Sequence, residues 1–316
     1  MGRIYIVGAG ALGLMYGLRL ASAGVLVTLV TRTSAQAELL RAQGGRLEQQ
    51  GQWRHMPVSA YSIDELAELD KHDLPLREDW VWYTVKQPQM TRELLAQTDK
   101  LVASKPSILC LQNGIGHLEL FEALYPELHV YAGVTTEGAM RTSLTEVRHT
   151  GEGSLVFGAI ESEREPDPEG DEAQKMLLHL LRMAGIAASL SNEMRNRIYE
   201  KLLINAVINP LTAIFGVSNG ELPAHPHRRK MMRALHQESE RLLRQAGLAP
   251  LPEAWERLLA VCEATAANES SMLRDVRAGR GTEIDWINGG ISALAKRMGH
   301  AAPLNDAVTA MVKALH

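Results

Sequence analysis

Apolar and polar positions divide this chain into two stretches with different periods. From Arg3 to Leu190, short apolar runs alternate with amphipathic ones. This pattern predicts strands interleaved with helices, and hence a largely parallel sheet. Residues 3–8 read as a buried strand, 14–23 as a helix ended by Gly24, and 25–30 as the next strand. Two short strands are expected within 44–63, around Gln50-Gly51-Gln52, followed by a polar connection over 64–79. Further strands are expected at 80–85, 106–111 and 129–134, with a hairpin over 147–160 turning at Gly151-Glu152-Gly153. The acidic, proline-containing stretch 161–172 reads as a solvated loop. A helix (173–184) and a short strand (186–190) follow. From Asn192 onward the strand period disappears. A helix through 199–221 comes first, with a break at Pro223 to Pro226. Amphipathic stretches then run over 227–246, 252–268, 283–299 and 304–315. The expected fold class is therefore α/β: an N-terminal Rossmann-type doubly wound sheet (1–190) plus an all-α C-terminal domain (191–316).

Within that frame, Gly8-Ala9-Gly10-Ala11-Leu12-Gly13 falls between the first strand and the first helix. Gly8 suits a tight turn, Gly10 lets the backbone approach a pyrophosphate, and Gly13 lets helix and strand pack closely. The free N–H groups of the helix start then face the phosphates. A tight turn with no ligand would use the same glycines. The second strand ends Val30-Thr31-Arg32-Thr33-Ser34, with no acid to hold a ribose 2′-hydroxyl. Arg32 can pair with a 2′-phosphate, and Thr31, Thr33 or Ser34 can donate to it, which points to NADP(H) over NAD(H). Lys86 and Asn113 each follow a strand on the carboxyl rim, where such sheets bind ligands, although solvated lysines and Asn-Gly turns are common there.

The later helix carries the most unusual pattern. Lys201, Asn205 and Asn209 are spaced by four and stack on one face, amid Leu202, Leu203, Ile204, Val207 and Ile208. Such a stripe either completes an internal hydrogen-bond network or meets a polar ligand. A network suits the amides but suits a lysine poorly. Farther on, Ser270-Ser271-Met272 can offer hydroxyls and N–H groups to a small carboxylate. Thr282 reads as a helix cap with Glu283 and Asp285 in the first turn, and Glu283 also stands as an anionic partner for Lys201.

Composition narrows the class. The chain has 316 residues, 46% of them hydrophobic, and a net charge of −4 without a basic block, which argues against nucleic acid as a partner. Cys110 and Cys262 lie in apolar contexts and read as buried thiols. His225-Pro226-His227 lacks further ligands at zinc spacing, so no metal is expected. No continuous apolar run reaches the ~18 residues of a membrane span, and no signal peptide is seen, so a cytoplasmic protein is expected.

Taken together, these residues resemble the ketopantoate reductase (2-dehydropantoate 2-reductase) family. The matching segments are Gly8–Gly13, Thr84-Val85-Lys86, Gln112-Asn113-Gly114, the block from Lys201 through Asn205 and Asn209 to Ala213, Asn219-Gly220-Glu221-Leu222, Asn268 to Leu273, and Thr282-Glu283-Ile284-Asp285. They run in family order across both domains. By this resemblance Lys201 matches the general acid. Asn205, Asn209, Asn219 and Ser271 match substrate positions, with Asn113 close to substrate as well. Gly8, Ala9, Gly10, Ala11, Leu12, Gly13, Arg32, Lys86, Asn113, Ala139 and Glu283 match cofactor-side positions. The resemblance implies NADPH-dependent reduction of ketopantoate to pantoate, with Lys201 as proton donor and Glu283 orienting it or the nicotinamide ribose. Two rivals stay open: reduction of another branched 2-oxo acid, and a non-catalytic NADPH sensor. The exposed faces of the C-terminal helices can support a homodimer, but nothing in the sequence demands one.

Overall fold

The computed structural model describes residues 2–160 and 168–315. The chain divides into two compact units: Met1–Gln112 with His117–Met194, and Asn113–Gly116 with Arg195–His316.

The first unit runs β1 (Ile4–Val7), α1 (Ala11–Ser22), β2 (Val27–Thr31), α2 (Ser34–Gln43), β3 (Gly45–Gln49), β4 (Gln52–Met56), β5 (Ser59–Ser62), β6 (Trp80–Tyr83), α3 (Arg92–Gln97), α4 (Asp99–Val102), β7 (Ser107–Cys110), α5 (His117–Leu124), β8 (Val130–Thr135), β9 (Gly138–Arg141), β10 (Glu146–Gly151), β11 (Leu155–Ala159), α6 (Pro168–Met183) and β12 (Ala188–Leu190). Eight strands form the main sheet in the order β12-β11-β8-β7-β6-β1-β2-β5. All its neighbours pair in parallel except β8 and β11. Both faces are covered. Ile4 and Ile6 of β1 join one apolar cluster, and the alternate residues Tyr5 and Val7 join the other. The order reverses between β1 and β6, the switch point at whose carboxyl ends such sheets bind nucleotides.

Strands β4-β3-β10-β9 form a second, smaller sheet, which corrects the expected hairpin over 147–160. β10 and β11 lie in different sheets. The hairpin actually present is longer and split: β8 returns as β11 in the main sheet and β9 returns as β10 in the small one, with its turn at residues 142–145. Gly151 and Gly153 mark the crossing between sheets, where a side chain on Gly153 would sit 2.5 Å from the Thr136 carbonyl carbon. The two strands expected around Gln50-Gly51 are β3 and β4, and both turn residues take positive φ (53° and 77°). β5 is a third, unforeseen strand. Helix α6 begins at Pro168, within the stretch read as a loop, and residues 161–167 of that stretch lie outside the described residues.

The second unit has helices and no strand among its described residues: α7 (Met194–Phe215), α8 (Glu221–Ala224), α9 (Pro226–Gln245), α10 (Ala254–Ala264), α11 (Ser271–Arg277), α12 (Asn288–Arg297) and α13 (Pro303–Lys313). Helix α7 is its core. Leu202, Leu203, Ala206 and Ala213 enter one apolar cluster, while Val207, Ile208 and Leu211 enter a second. A helix apolar on several sides is stable in water only when neighbours surround it. Among the described residues it is the one helix long and apolar enough to cross a membrane, and 56% of its apolar window is buried inside the protein. Lys201, Asn205 and Asn209 interrupt its apolar residues, so no continuous apolar run of that length stands in the sequence. Cys110 and Cys262 are buried free thiols.

Candidate active site

In the sheet unit, the glycine turn closes at the switch point. Gly8 has φ 108°, a conformation that L side chains rarely adopt, and its N–H donates to the Val30 carbonyl at 2.8 Å. A Cβ on Gly13 would lie 2.1 Å from the Gly8 carbonyl oxygen and 2.4 Å from Thr84 Oγ1, so only glycine lets α1 come this close to β6. Thr84 Oγ1 donates to that same Gly8 oxygen at 2.7 Å and locks the turn. Above Gly10, by contrast, nothing lies within 4 Å. Gly10 is the N-cap of α1 and contributes no side-chain cap, so the first N–H groups at Ala11 and Leu12 lack a capping side chain. Ala9 is buried, and its carbonyl accepts from Gln36 Nε2 (2.9 Å) and Arg141 Nη1 (3.1 Å). This is a rigid cradle, open on one side and lined by backbone donors, and it fits a pyrophosphate.

At the end of β2, Arg32 is exposed and makes no hydrogen bond or ion pair among the described residues. Thr31 differs from its expected part: it is fully buried, and its hydroxyl donates to the Thr33 and Tyr61 carbonyls. Thr33 caps α2 by accepting from Gln36 N–H, and Ser34 Oγ pairs with Ser62 Oγ at 3.3 Å. Of this group, Arg32 alone is uncommitted, and a 2′-phosphate fits it. Lys86 is half-buried just past β6, and Ala139 is half-buried in β9 against the main core. Arg141 was not anticipated. It is the exposed last residue of β9, and no sequence signal marks it as reaching the glycine turn.

In the helical unit, Lys201 is half-buried on α7. Burial pulls its ammonium down from the usual lysine range to about 8, opposed by the negative charge of Glu283, which raises it. Glu283 is buried and accepts from Asn113 Nδ2 at 3.0 Å. The short segment Asn113–Gly116 therefore belongs with this unit's chemistry, and its backbone is tied in by Ile115 N–H donating to the Trp286 carbonyl at 3.1 Å. A side chain on Gly114 would lie 2.4 Å from that carbonyl oxygen. Thr282 does not cap a helix as expected. Residues 284–287 form turns, α12 starts only at Asn288, and Trp286 and Ile287 N–H both donate to the Glu283 carbonyl. Glu283 is thus held by a turn five residues before the helix, with its carboxylate engaged by Asn113.

Asn205 is half-buried and Asn209 is 7% exposed, and neither side-chain amide has a partner among the described residues. Buried amides are nearly always hydrogen-bonded. The internal network that the stripe could have served is absent from these two positions, which favours a ligand. Asn219 is 8% exposed. Its Nδ2 donates to Thr265 Oγ1 at 2.9 Å, and its Oδ1 has no partner among the described residues. Ser270 is committed as the cap of α11, accepting from Leu273 N–H and paired with Thr212 Oγ1 at 2.7 Å. The next hydroxyl, that of half-buried Ser271, makes no hydrogen bond among the described residues. Each side chain singled out on the stripe thus either carries a perturbed charge or holds unsatisfied polar atoms.

A nucleotide cradle on a doubly wound sheet, with a tuned acid–base group in a helical unit, defines a pyridine-nucleotide-dependent oxidoreductase. Residues 4–162 match the family model for "Ketopantoate reductase PanE/ApbA" and residues 193–316 match that for "Ketopantoate reductase PanE/ApbA C terminal". The chain belongs to the ketopantoate reductase family. It is 33% identical to the 2-dehydropantoate 2-reductase of Bacillus subtilis (strain 168), over 99% of this chain and 97% of that one. A solved structure of the probable enzyme from Bacillus subtilis superposes with TM-score 0.82 at 32% identity, covering 99% of this chain and all of the other. A D-mandelate dehydrogenase solved with NADH and anilino(oxo)acetate superposes with TM-score 0.87 at 27% identity, covering 99% and 97%.

Proposed function

We propose that this chain reduces 2-dehydropantoate (ketopantoate) to pantoate with NADPH, a step of pantothenate and coenzyme A biosynthesis. The observation that carries the reading is the α7 stripe, where an ammonium brought to about 8 shares its helix face with two amides that have no partners among the described residues. The glycine turn and the start of α1 hold the pyrophosphate, Arg32 the 2′-phosphate, and Lys86 and Ala139 flank the cofactor. When bound, the reduced nicotinamide supplies the hydride. As the C2 ketone accepts it, negative charge grows on the ketone oxygen. The Lys201 ammonium stabilises that charge and donates the proton. A lysine at 10.5 is a reluctant donor, whereas one near 8 is matched to neutral pH. Glu283 keeps the amine from falling further and, with Asn113, fixes its surroundings. Ser271 grips the substrate carboxylate, and Asn205, Asn209 and Asn219 bond its hydroxyl end.

A second reading, reduction of a different 2-oxo acid with NADH, is favoured by the likeness to the mandelate enzyme with its bound NADH. The deciding experiment follows oxidation of NADPH and of NADH with ketopantoate, 2-oxoisovalerate and phenylglyoxylate in parallel. Ketopantoate with NADPH is expected to give the highest kcat/KM. Preference for phenylglyoxylate with NADH would favour the second reading, and no oxidation in any pair would leave a nucleotide-binding protein without this catalysis.

A further inference from the structure

Helix α7 contains Pro210 in its interior, one residue after Asn209. Proline has no N–H, so the carbonyl four residues earlier, that of fully buried Ala206, loses its usual helical donor. A buried carbonyl without a donor is costly. Asn288, itself fully buried, supplies one: its Nδ2 donates to the Ala206 oxygen at 2.9 Å. The other proton of the same amide goes to Asn305 Oδ1, also at 2.9 Å. Asn305 is held in turn. Its Nδ2 donates to Glu238 Oε1 and Ser239 Oγ, and its N–H to Glu238 Oε1. The donor is thus fixed from behind by α9 and α13.

We infer that Asn288 is a positioning residue, whose amide replaces the N–H that Pro210 lacks and so sets how the two halves of α7 present Lys201 and Asn205 on one side of the interruption and Asn209 on the other. Two placements support this. The interruption falls between Asn205 and Asn209, so whatever holds Ala206 controls the angle between the two amides. Asn288 also lies five residues after Glu283, in the same turn-and-helix segment, so this segment meets α7 through the Ala206 bond and reaches Lys201 through Glu283's charge. A second brace acts beyond the proline. Thr212 Oγ1 donates to the Ile208 and Asn209 carbonyls and pairs with Ser270 Oγ, back-bonding of the kind that bends helices.

The inference rests on the proposed role of Lys201, and its test separates the two. Wild type, Asn288→Ala, Pro210→Ala and the double variant are compared by thermal unfolding, steady-state kinetics and pH–rate profiles. Asn288→Ala is expected to lower Tm by roughly 2–6 °C, with a clearly smaller loss when Pro210→Ala has restored a backbone N–H to Ala206. In the folded single variant, kcat/KM for the 2-oxo acid is expected to fall about 10- to 100-fold, with a displaced pH midpoint and a cofactor KM within about twofold of wild type. Should Asn288→Ala fail to fold alone, the double variant is expected to fold, and failure of both overturns the inference. Equal Tm losses in both backgrounds would also overturn it. A destabilised Asn288→Ala with wild-type kcat/KM and pH midpoint would leave a purely structural hydrogen bond and refute positioning. If the wild type reduces no 2-oxo acid, the functional reading fails instead, while the Tm comparison still reports on the Ala206 bond.

Discussion

The glycine turn of the sheet unit and the stripe on α7 both present polar groups amid apolar surroundings, by opposite means. At the turn the groups are backbone N–H donors. Their geometry follows from sterics: a Cβ on Gly13 would lie 2.1 Å from the Gly8 carbonyl oxygen, and Thr84 closes the other side. The proposed selectivity for NADPH rests there on an added charge, that of exposed Arg32. On α7 the groups are side chains, two of them without partners among the described residues, and one is a charge pulled from its ordinary pKa by burial. In the proposed function the turn is a socket for an anion that does not react. The stripe holds its groups in an unfavourable state, which is expected where chemistry happens, because a group that is already satisfied has nothing left for a transition state. Loss at the turn should therefore read as binding, and loss on the stripe as turnover or substrate discrimination.

The sharpest division is expected in the substrate. If Asn205, Asn209 and Asn219 bond the hydroxyl of ketopantoate, 2-oxoisovalerate leaves buried amides unpaired and should lose up to about 10,000-fold in kcat/KM. Comparable rates on the two acids, measured under identical conditions, would remove the amides from recognition. Next is Lys201→Ala. Its kcat should fall between about 100- and 10,000-fold, with NADPH affinity nearly intact by fluorescence titration. If the lysine belonged to the binding side of the comparison, affinity would fall and kcat would hold.

The two regions were not equally legible in the sequence. The turn could be read from its glycines and their place between strand and helix, although Thr84, which crowds Gly13, lies 71 positions farther along the chain. The stripe could be read as a pattern but not as a role: spacing by four predicts a shared face, and only the structure reveals that Asn205 and Asn209 lack partners among the described residues while Ser270 and Thr31 are fully committed. What failed was non-local. The split hairpin of β8 to β11 depends on which sheet each strand joins, and local alternation carries no such information. The cap assigned to Thr282 fitted its sequence neighbours, but the chain there serves Asn113 and Trp286 contacts instead. Asn288 was hidden for the same reason. Its signal was a proline inside another helix, 78 positions away from it in the chain.

Arg32 offers a smaller but cleaner test of the binding side. Arg32→Ala should raise the KM for NADPH by about 10- to 100-fold, the worth of one or two hydrogen bonds to a charged group, and leave NADH use nearly unchanged. Because the side chain is exposed and otherwise uncommitted, the fold should be unaffected, and circular dichroism and Tm check this. Equal changes with both nucleotides would mean that the arginine does not read the 2′-phosphate.

The finest test concerns pH. Lys201 must be protonated to donate, so kcat/KM for reduction should be level on the acid side and fall as pH rises through about 8. The two causes acting on the amine have opposite signs: burial lowers it and Glu283's charge raises it. Glu283→Gln keeps the size of the side chain and can still meet Asn113, but removes the raising charge. Its midpoint should therefore move below 8, so that at pH 7.5 less of the enzyme carries the proton it must give. At pH 6 the variant should recover most of the loss, which a defect in nucleotide binding would not do. An unmoved midpoint with a uniformly lower rate would place Glu283 on the cofactor side of the comparison, with the nicotinamide ribose, and leave burial alone to tune the lysine.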